Sequence, residues 1–405
     1  MGSESNDGLS RRGFLRAGSA VAAGLLLPTF AGLRSAAAQL APLNGGKRLA
    51  LPNFADRIST IAGVRPYRMA GVRLETERID QKTIIHNYGH GGAGITLSFG
   101  TARATSDRVA NALAEIARNY RPSAAARLSS KIAIIGAGVA GLTVATELHR
   151  RFPKIDITLY SKDRLEDTTS YKAGGQFAPA GITKPYEGRI GELHDLVTGS
   201  HERLTQLVRS GKGRAYGIAR RSNYSIGRNS PMDRGVPRSI IAEPLHGPLP
   251  FDGLRDTAGF EYHTLLVEPP IFLKKLRSEL RKSRRIAFRQ REFRSQADVL
   301  ALNQAIIINC SGMGASSLFR DGTLIPIKGQ LIKLHNPTKL NYFFSETCNV
   351  TGADTSYLFC RQNDIVIGGS YEHKVDNTTP IPADCDRIID RMKKLLGGDT
   401  RVCIG

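Results

Sequence analysis

The segment KIAIIGAGVAGLTVATEL (residues 131–148) constrains the fold more than any other part of the chain. A short apolar run precedes three glycines with the spacing G-x-G-x-x-G, and a helical pattern continues to Arg151. This arrangement allows a tight turn, a close approach of the backbone to a pyrophosphate, and a phosphate at the helix N-terminus. The sequence therefore predicts a Rossmann-like α/β unit that contacts a dinucleotide through Gly136, Ala137, Gly138, Val139 and Gly141. The alternative is a glycine-rich turn without a ligand.

The next apolar segment, DITLYS (residues 156–161), predicts the second strand of this unit. An acidic residue at the end of such a strand usually holds the adenosine ribose. Here the strand is followed by Lys162 at about the expected place, and Asp163 is the nearest acid. The ribose contact is therefore assigned to Asp163.

The first 38 residues predict an export signal. SRRGFLRAG (residues 10–18) supplies paired arginines, a short apolar run follows, and AAA (residues 36–38) offers a cleavage site. This order is typical of a twin-arginine signal, and the apolar run is too short and too rich in Gly and Pro to span a bilayer well. A membrane anchor is the less favoured alternative. The signal predicts a periplasmic or secreted protein that folds around a cofactor before export, with no stable membrane insertion after cleavage.

Composition restricts the class of protein. A chain of 405 residues with 41% apolar content can bury one large or two moderate cores. The net charge of +21 would suit an anionic partner, but the basic residues are scattered, with local clusters such as RKSRR (residues 281–285). A generally basic surface is favoured over a nucleic-acid site. The five cysteines show no CxxC spacing, so no zinc site is indicated, and their odd number leaves at least one unpaired.

A second strand, glycine turn and helix precedes the first one. TIIHNYGHGGAGITLSFG (residues 83–100) predicts a strand and a glycine-rich turn, and the helical pattern that follows continues to about Tyr120. His86 and His90 are four residues apart, but a glycine loop does not provide the helical face that a metal-binding pair needs. No metal site is therefore predicted. Residues 121–130 (RPSAAARLSS) have the composition of a linker.

Further strands are predicted in the second half of the chain. AIIINCSGMGA (residues 305–315) indicates a buried strand, residues 324–334 another, and residues 356–373 a hairpin that turns at 362–364. Apolar residues at positions 388, 389, 392, 395 and 396 share one helical face, which Gly397 ends. TRVCIG (residues 400–405) reads as part of a strand.

These segments resemble the D-amino-acid oxidase family of flavoenzymes. IAIIGAGVAGL looks like its opening FAD motif, DTTSYKAGG resembles its threonine-rich flavin segment, and INCSG, IKGQLIKL and IVIGGSYE resemble its middle. The family closes with an arginine-proline strand and a histidine-glycine loop, which here stand first as GVRPYRMAGVRLETE and IHNYGHGGAGIT. The resemblance, from about residue 60 to 405, therefore predicts a circularly permuted chain in which residues 121–130 join the old termini. A rearranged gene assembly is the alternative.

The resemblance implies an α/β fold with a Rossmann-like FAD-binding domain and an antiparallel-sheet substrate domain, in circularly permuted order. The predicted divisions are a signal peptide (1–38), a lead-in (39–59), substrate-domain strands (60–82), the closing strand and helix of the flavin domain (83–120), a linker (121–130), FAD-binding domain (131–195), mainly substrate domain (196–285), FAD-binding domain (286–318) and mainly substrate domain (319–405).

The resemblance also implies the site residues. Arg65 matches the family's carboxylate-binding arginine, for which a planar guanidinium is well suited, and Tyr357 matches its active-site tyrosine. Gly92 is the third catalytic position, because a missing side chain lets backbone groups approach the flavin and the substrate amine. A surface arginine and a half-buried strand tyrosine are the alternatives. The implied FAD contacts, besides those in the glycine turn and Asp163, are Thr168, Thr169, Ser170, Gly175, His90, Gly91, Gly92, Ala93, Gly94 and Thr96.

The implied activity is the FAD-dependent oxidative deamination of D-amino acids to 2-oxo acids, ammonia and hydrogen peroxide, with oxygen as acceptor and no obligatory protein base. A homodimer is left open. Two departures concern the pocket: Ala353 stands where the family has a second tyrosine, and Ala178 and Ala180 flank Pro179 where it has glutamine and tyrosine. A less polar or more open pocket is therefore predicted. A flavin dehydrogenase with another acceptor and a flavin- or ADP-binding protein without turnover are the alternatives.

Overall fold

The computed structural model describes residues 40–179, 181–227, 235–347 and 354–403. The predicted signal, Ala180, Ala353 and the last two residues lie outside these ranges. Two β-sheets with helices packed against them form the framework. Among the described residues, no helix combines the length and the apolar character needed to cross a membrane.

The strands are β1 Arg57–Arg68, β2 Thr76–Ile79, β3 Lys82–His86, β4 Lys131–Ile135, β5 Asp156–Ser161, β6 Ile218–Gly227, β7 Leu245–Pro248, β8 Ala258–Val267, β9 Ile286–Gln290, β10 Ile306–Asn309, β11 Leu324–His335, β12 Phe343–Thr347, β13 Asp354–Cys360, β14 Asp364–Ser370 and β15 Glu372–His373. The α-helices are α1 Ser98–Asn119, α2 Pro122–Ser129, α3 Val139–Arg151, α4 Ile190–Arg209, α5 Pro269–Arg281, α6 Gln296–Leu300, α7 Ala315–Leu318 and α8 Pro382–Leu396. Short 3-10 turns connect several of these elements, as at Leu43–Gly46 and Leu165–Asp167.

The smaller sheet has the order β2-β3-β10-β4-β5-β9. Its strands run parallel except β2, which pairs antiparallel with β3. The two central strands, β4 and β10, consist mostly of buried isoleucine, because both faces of the sheet are covered. One face packs under α1 and α3, and the other packs against apolar residues around α6 and α7. In parallel sheets of this kind, ligands bind at the carboxyl ends of the strands. Here the strand that leads into the glycine turn, β4, lies between β10 and β5.

The larger sheet has the order β1-β11-β14-β13-β12-β6-β8-β7, and β15 pairs with β11 outside this path. Its pairings are antiparallel except that between β12 and β6. Helix α8 covers one face through Cys385, Ile388, Ile389, Met392 and Leu395, all of them buried. The opposite face therefore remains available to line the space between the two sheets.

Residues 57–120 complete both sheets. Strand β1 pairs with β11 along almost its whole length and places Arg65 opposite Ile327, whereas β3 lies parallel to β10 with Ile85 opposite Ile308. Helix α1 packs beside α3 over the smaller sheet. The segment that precedes the glycine turn in sequence is thus an integral part of the same fold.

Most predicted elements are confirmed, including the glycine-turn strand and helix, the strand at 156–161, the hairpin and the amphipathic helix α8. Four assignments are corrected. Strand β2, predicted among the substrate-domain strands, belongs to the smaller sheet. The predicted linker forms α2, which begins at a proline and is rich in alanine, both favourable to a helix. Residues 400–403 form a 3-10 turn instead of a strand. Helix α5 lies within the region assigned mainly to the substrate domain, but it packs against α3, the helix of the glycine turn.

Candidate active site

A cavity of about 1620 Å³ lies between the two sheets. It exceeds the roughly 300–1,000 Å³ of typical small-ligand pockets, as a dinucleotide together with a substrate requires. Two parts of its lining differ in character. The first, called the cofactor end below, contains the glycine turn after β4 and the loops after β5 and β10; the second, called the substrate end, contains Arg65, Tyr357, Tyr371, Gln176 and Ser345.

The glycine turn has no room for side chains. Gly136 has φ +101°, a conformation that L side chains rarely adopt, and a Cβ there would overlap the carbonyl oxygen of Cys310. A Cβ on Gly141 would overlap the carbonyl oxygen of Gly136. The N–H groups of Ala137 and Gly138 donate to no group in the described parts of the chain. Unpaired N–H groups at the start of a 13-residue helix are suited to a phosphate.

The hydroxyl groups of the threonine-rich segment are partly used by the protein itself. Thr168 donates to the carbonyl of Leu165 at 2.7 Å, and Thr169 donates to that of Val64 at 3.0 Å. Both residues line the cavity and their hydroxyls hold the segment in place, and their contact with phosphate or flavin stays a prediction. Ser170 accepts a hydrogen bond from the N–H of Val139 at 3.1 Å, which leaves its own proton available.

Asp163 is exposed and lines the cavity, as a ribose contact requires, while Lys162 beside it pairs with Glu292 at 3.5 Å.

The sequence did not reveal an aromatic pair at the same end. Tyr160 and Phe293 line the cavity with ring centroids 5.4 Å apart in an edge-to-face arrangement. Since Phe293 follows β9, far along the chain from the glycine turn, no local motif could have indicated this pair.

The histidine-glycine loop lies where β1 and α1 meet the cavity. His90, Gly91, Gly92, Gly94 and Thr96 line it, whereas the predicted contacts Ala93 and Gly141 do not. Burial lowers the pKa of His90 to about 4, so its imidazole is neutral at physiological pH. Thr96 donates to the carbonyl of Ala178 at 2.8 Å and accepts from its N–H at 3.0 Å. Gly175, on the same segment as Ala178, also lines the cavity, at φ +103°.

Asn87 is a candidate contact that the sequence analysis missed. Its side chain is fully buried, lines the cavity, and neither its Oδ1 nor its Nδ2 has a hydrogen-bond partner in the described residues. A buried amide without partners is costly, which points to a ligand group at this place. Neighbouring His86 is already engaged by Glu77 at 2.8 Å and by Asn309 at 3.1 Å. No cluster of His, Cys, Asp and Glu able to hold a metal occurs among the described residues.

Arg65 supplies the positive charge of the substrate end. Its Nη1 donates to the carbonyls of Ser370 at 3.0 Å and Lys328 at 3.4 Å, and its guanidinium lies 4.3 Å from the ring centroid of Tyr371. It forms no ion pair with any described residue. A guanidinium fixed by carbonyls but without an acidic partner can receive a carboxylate.

Tyr357 lies close enough to Arg65 for their charges to interact. Burial raises the pKa of Tyr357 to about 12, and the guanidinium opposes this rise. The phenol is therefore protonated at physiological pH and can donate a hydrogen bond. Its ring lies against Gly368, where a Cβ would overlap the phenol, and at 4.5 Å from the ring of Phe359.

Glycines make the position of Arg65 possible. A Cβ on Gly329 would overlap the guanidinium, and one on Gly92 would approach its Cδ to 2.9 Å. Gly92 has φ +105° and is accessible from the cavity. The structure thus brings the three predicted catalytic positions, Arg65, Tyr357 and Gly92, to one place.

The residues present fit FAD. The unpaired N–H groups of the glycine turn suit its pyrophosphate, and the orphaned amide of Asn87 offers a further contact along the same cavity. Ser170 and Asp163 remain available at the cofactor end, whereas Arg65 and Tyr357 occupy a different part of the lining. The cavity therefore accommodates a cofactor and a small carboxylate-bearing substrate side by side.

Comparisons with known proteins show the family of the chain. The model of the protein family described as "DAO: FAD dependent oxidoreductase" matches residues 131–404. A D-amino acid oxidase from Dugesia ryukyuensis is 24% identical over 280 residues, which cover 66% of this chain and 78% of that protein. A D-aspartate oxidase from Homo sapiens is 23% identical over 274 residues, which cover 65% of this chain and 75% of that protein. The solved glycine oxidase from Bacillus cereus ATCC 14579 has a TM-score of 0.47 at 16% identity, covering 65% of this chain and 78% of that one.

Proposed function

Because the chain belongs to the DAO family of FAD-dependent oxidoreductases, with FAD as its cofactor, we propose that it oxidatively deaminates D-amino acids. The overall reaction converts a D-amino acid, oxygen and water into a 2-oxo acid, ammonia and hydrogen peroxide. The named relatives act on D-amino acids and D-aspartate, which supports this substrate class.

One observation carries the proposal. Arg65, which has no acidic partner among the described residues, lies beside the protonated phenol of Tyr357 in the same cavity as the cofactor motif. A carboxylate bound there accepts a two-pronged contact from the guanidinium and a hydrogen bond from the phenol. The substrate is thereby held by one end.

The remaining groups orient the substrate. With the carboxylate fixed, the α carbon lies nearer the centre of the cavity, where Gly92 presents backbone without a side chain. A fixed reacting geometry of this kind contributes strongly to rate. FAD held by the glycine turn would supply the two-electron oxidation of the α C–H bond, with oxygen as the final electron acceptor. The amine enters neutral, so no side chain needs to act as a base, and water hydrolyses the released imine.

The test is anaerobic mixing of FAD-loaded, signal-free protein with a panel of D- and L-amino acids while the absorbance of oxidised flavin is followed. We expect bleaching by D isomers and not by L isomers, and peroxide release when oxygen is admitted. Bleaching without reoxidation by oxygen would indicate a dehydrogenase with another acceptor. Bound flavin that no amino acid bleaches would contradict the proposal.

Arg65→Leu is the decisive variant. Loss of a charged partner in a buried contact typically costs about 2–5 kcal/mol, so kcat/KM should fall by roughly 30- to 4,000-fold. Flavin content should stay unchanged, because Arg65 is not part of the cofactor end. Arg78→Leu is the matched control, since Arg78 pairs with Glu115 on the surface away from the cavity lining.

We also propose that the chain is circularly permuted and exported by the twin-arginine route. Residues 57–120 lie outside the matched family region yet complete both sheets and supply Arg65, which supports the permutation. A gene in which residues 57–120 follow residue 403 through a flexible linker should yield a folded, FAD-binding protein. An insoluble product from this gene, beside a soluble native chain, would count against it.

The export proposal is tested by replacing Arg11 and Arg12 together with lysine in a bacterial host that has the twin-arginine pathway. The natural chain should be recovered from the periplasm, and the double variant should remain in the cytoplasm. Equal distribution of both would contradict twin-arginine export.

A further inference from the structure

The cavity-facing side of the larger sheet carries two rows of residues that continue from Tyr357. Ser345 lies directly opposite Tyr357 on β12, and Ser225 lies opposite Ser345 on β6. In the next row, two residues along each strand, Phe359 and Phe343 are followed by Asn223 and then by Tyr262 on β8. Residues paired in this way point to the same face of a sheet. The rows therefore place a group of polar side chains beyond Tyr357.

These side chains form one hydrogen-bonded cluster with Gln176. Gln176 Nε2 donates to Asn223 Oδ1 at 2.9 Å and to the phenol oxygen of Tyr262 at 3.3 Å. Asn223 Nδ2 donates to Ser225 at 2.7 Å and to Ser345 at 3.1 Å, and the two serine hydroxyls are 2.7 Å apart. Asn223 and Ser225 are completely buried. The cluster is thus rigid and consists of uncharged groups.

Two members of the cluster reach the cavity, Gln176 and Ser345. The backbone on both sides of Gln176 is fixed to β8, through Gly175 O to Val267 N at 2.8 Å and Phe177 N to Leu265 O at 2.9 Å. With its Nε2 used by Asn223 and Tyr262, the Oε1 of Gln176 accepts no hydrogen bond in the described residues. Gln176, with an amide oxygen that is not used in the cluster, and Ser345, whose hydroxyl is held by Asn223 and Ser225, therefore line the cavity as part of a fixed wall.

This wall lies where the side chain of a bound substrate would extend. The ring of Tyr357 leans over Gly368 and Gly369, whereas Ser345 lies on its other flank. Gly174, two residues before Gln176, is adjacent to the rings of Tyr357 and Phe359. Ser345 and Gln176 thus line the same cavity as Arg65, on the flank of Tyr357. Lys172 also lines the cavity, beside Gly63, but makes no contact with the cluster.

We propose that the enzyme prefers D-amino acids with a short uncharged polar side chain, a carboxamide above all. This inference rests on the proposed function. A carboxamide can donate to Gln176 Oε1 and also exchange a hydrogen bond with Ser345. An apolar side chain would leave Gln176 Oε1 buried without a partner, and a carboxylate would be dehydrated with no cation in the cluster. The alanines at 178, 180 and 353 predict a less polar or more open pocket, which stays a prediction; Gln176 adds one polar group to the lining.

The test uses three substrates of nearly equal shape, D-asparagine, D-leucine and D-aspartate, with the FAD-loaded protein. The rate of anaerobic flavin bleaching at low substrate concentration and kcat/KM for peroxide release are measured for each. D-asparagine should exceed both others by at least roughly tenfold. Equal or better use of D-leucine, or a preference for D-aspartate, would overturn the inference while leaving the proposed function intact. If none of the three, and no other D-amino acid, bleaches the flavin, the proposed function itself fails.

A matched pair of variants locates the preference. Gln176→Leu should reverse the ratio of D-asparagine to D-leucine, whereas Gln206→Leu, on the exposed face of α4, should leave it unchanged. An unchanged ratio in Gln176→Leu would overturn the assignment. If Gln176→Leu does not fold, Ser345→Ala should still lower the ratio, because Ser345 is the second polar cluster residue that lines the cavity.

Discussion

The two ends of the cavity are built in different ways. The cofactor end consists mostly of backbone: a glycine turn with unpaired N–H groups, in which a Cβ on Gly136 would overlap a neighbouring carbonyl. The substrate end consists of side chains: the Arg65 guanidinium lies against Gly329, Tyr357 and Ser345 lie opposite each other on β13 and β12, and Gln176 joins them from a connecting segment. The first end tolerates almost no added atoms, whereas the second depends on which functional groups its side chains carry.

This difference has a physical origin. A pyrophosphate has the same charge and shape in every FAD molecule, so a backbone turn can bind it without any particular side chain. Amino acids differ in their side chains, so recognition requires groups that substitution can change. Changes at the cofactor end should therefore alter cofactor retention, and changes at the substrate end should alter turnover and substrate preference.

The largest effect is expected at the glycine turn. Gly136→Val introduces a side chain at a positive φ and against the carbonyl of Cys310, with a combined cost of about 2–6 kcal/mol. FAD affinity should fall by roughly 10³-fold, measured as flavin content after purification and by titration of the apo-protein. Gly191→Val is the control, since nothing lies within 4 Å of a Cβ at that position. Normal flavin content in Gly136→Val would remove the distinction between the two ends.

The second-largest effect is expected in the pH dependence of the free energy of unfolding, and it concerns His90, which lies where the two ends meet. Burial lowers its pKa from 6.5 to about 4, so the unfolded chain binds the proton more readily than the folded one. The free energy of unfolding should therefore decrease as the pH falls from about 6.5 to about 4, by on the order of 3 kcal/mol from this group. The free energy of unfolding, measured in urea between pH 4 and 7, should depend less steeply on pH in His90→Asn than in the wild type. The exposed-residue variant His246→Asn should keep the wild-type slope, and equal slopes in all three proteins would refute this account.

Arg65→Lys should have a smaller effect, confined to the substrate end. Lysine keeps the charge but lacks the planar fork that contacts both carboxylate oxygens, so kcat/KM should fall by about 30-fold. Flavin content and the melting temperature should remain those of the wild type. A variant that loses flavin in proportion to its activity would show that the two ends are not independent.

Asn87→Leu should have the smallest effect, and it sharpens the comparison because Asn87 is a side chain at the cofactor end. Removing an unpaired buried amide should stabilise the apo-protein by about 1 kcal/mol. FAD binding should weaken by about as much, since the amide would lose its ligand partner. The variant should therefore have a higher free energy of unfolding without FAD and a lower affinity for FAD. A lower free energy of unfolding of the apo-protein would show that Asn87 has a purely structural role.

The sequence predicted those features whose determinants are close together in the chain. The glycine turn, the hairpin after residue 354 and helix α8 each depend on local spacing and periodicity. Helix α2 was missed because proline, serine and alanine are also common in linkers, and β2 was assigned to the wrong sheet because its pairing depends on β3.

The site shows the same limit. Arg65, Tyr357 and Gly92 could be named from the family resemblance, but their meeting depends on pairing between strands more than 200 residues apart, as in the hydrogen bond from Arg65 to Ser370. Gln176 and Asn87 were missed because their significance lies in what surrounds them. Gln176 contacts residues on β6 and β8, and Asn87 is notable only because no described residue satisfies its amide.

Helix α2 joins two stretches of chain that carry different parts of the chemistry. Arg65, for which we proposed the role of carboxylate anchor, lies before it and the cofactor motif lies after it, and none of the helix's own residues is buried. A chain cut within Pro122–Ser129 would therefore yield two polypeptides, neither of which holds both the guanidinium and the glycine turn. Turnover would then require the two fragments to assemble, so that hydrogen peroxide output would report their association.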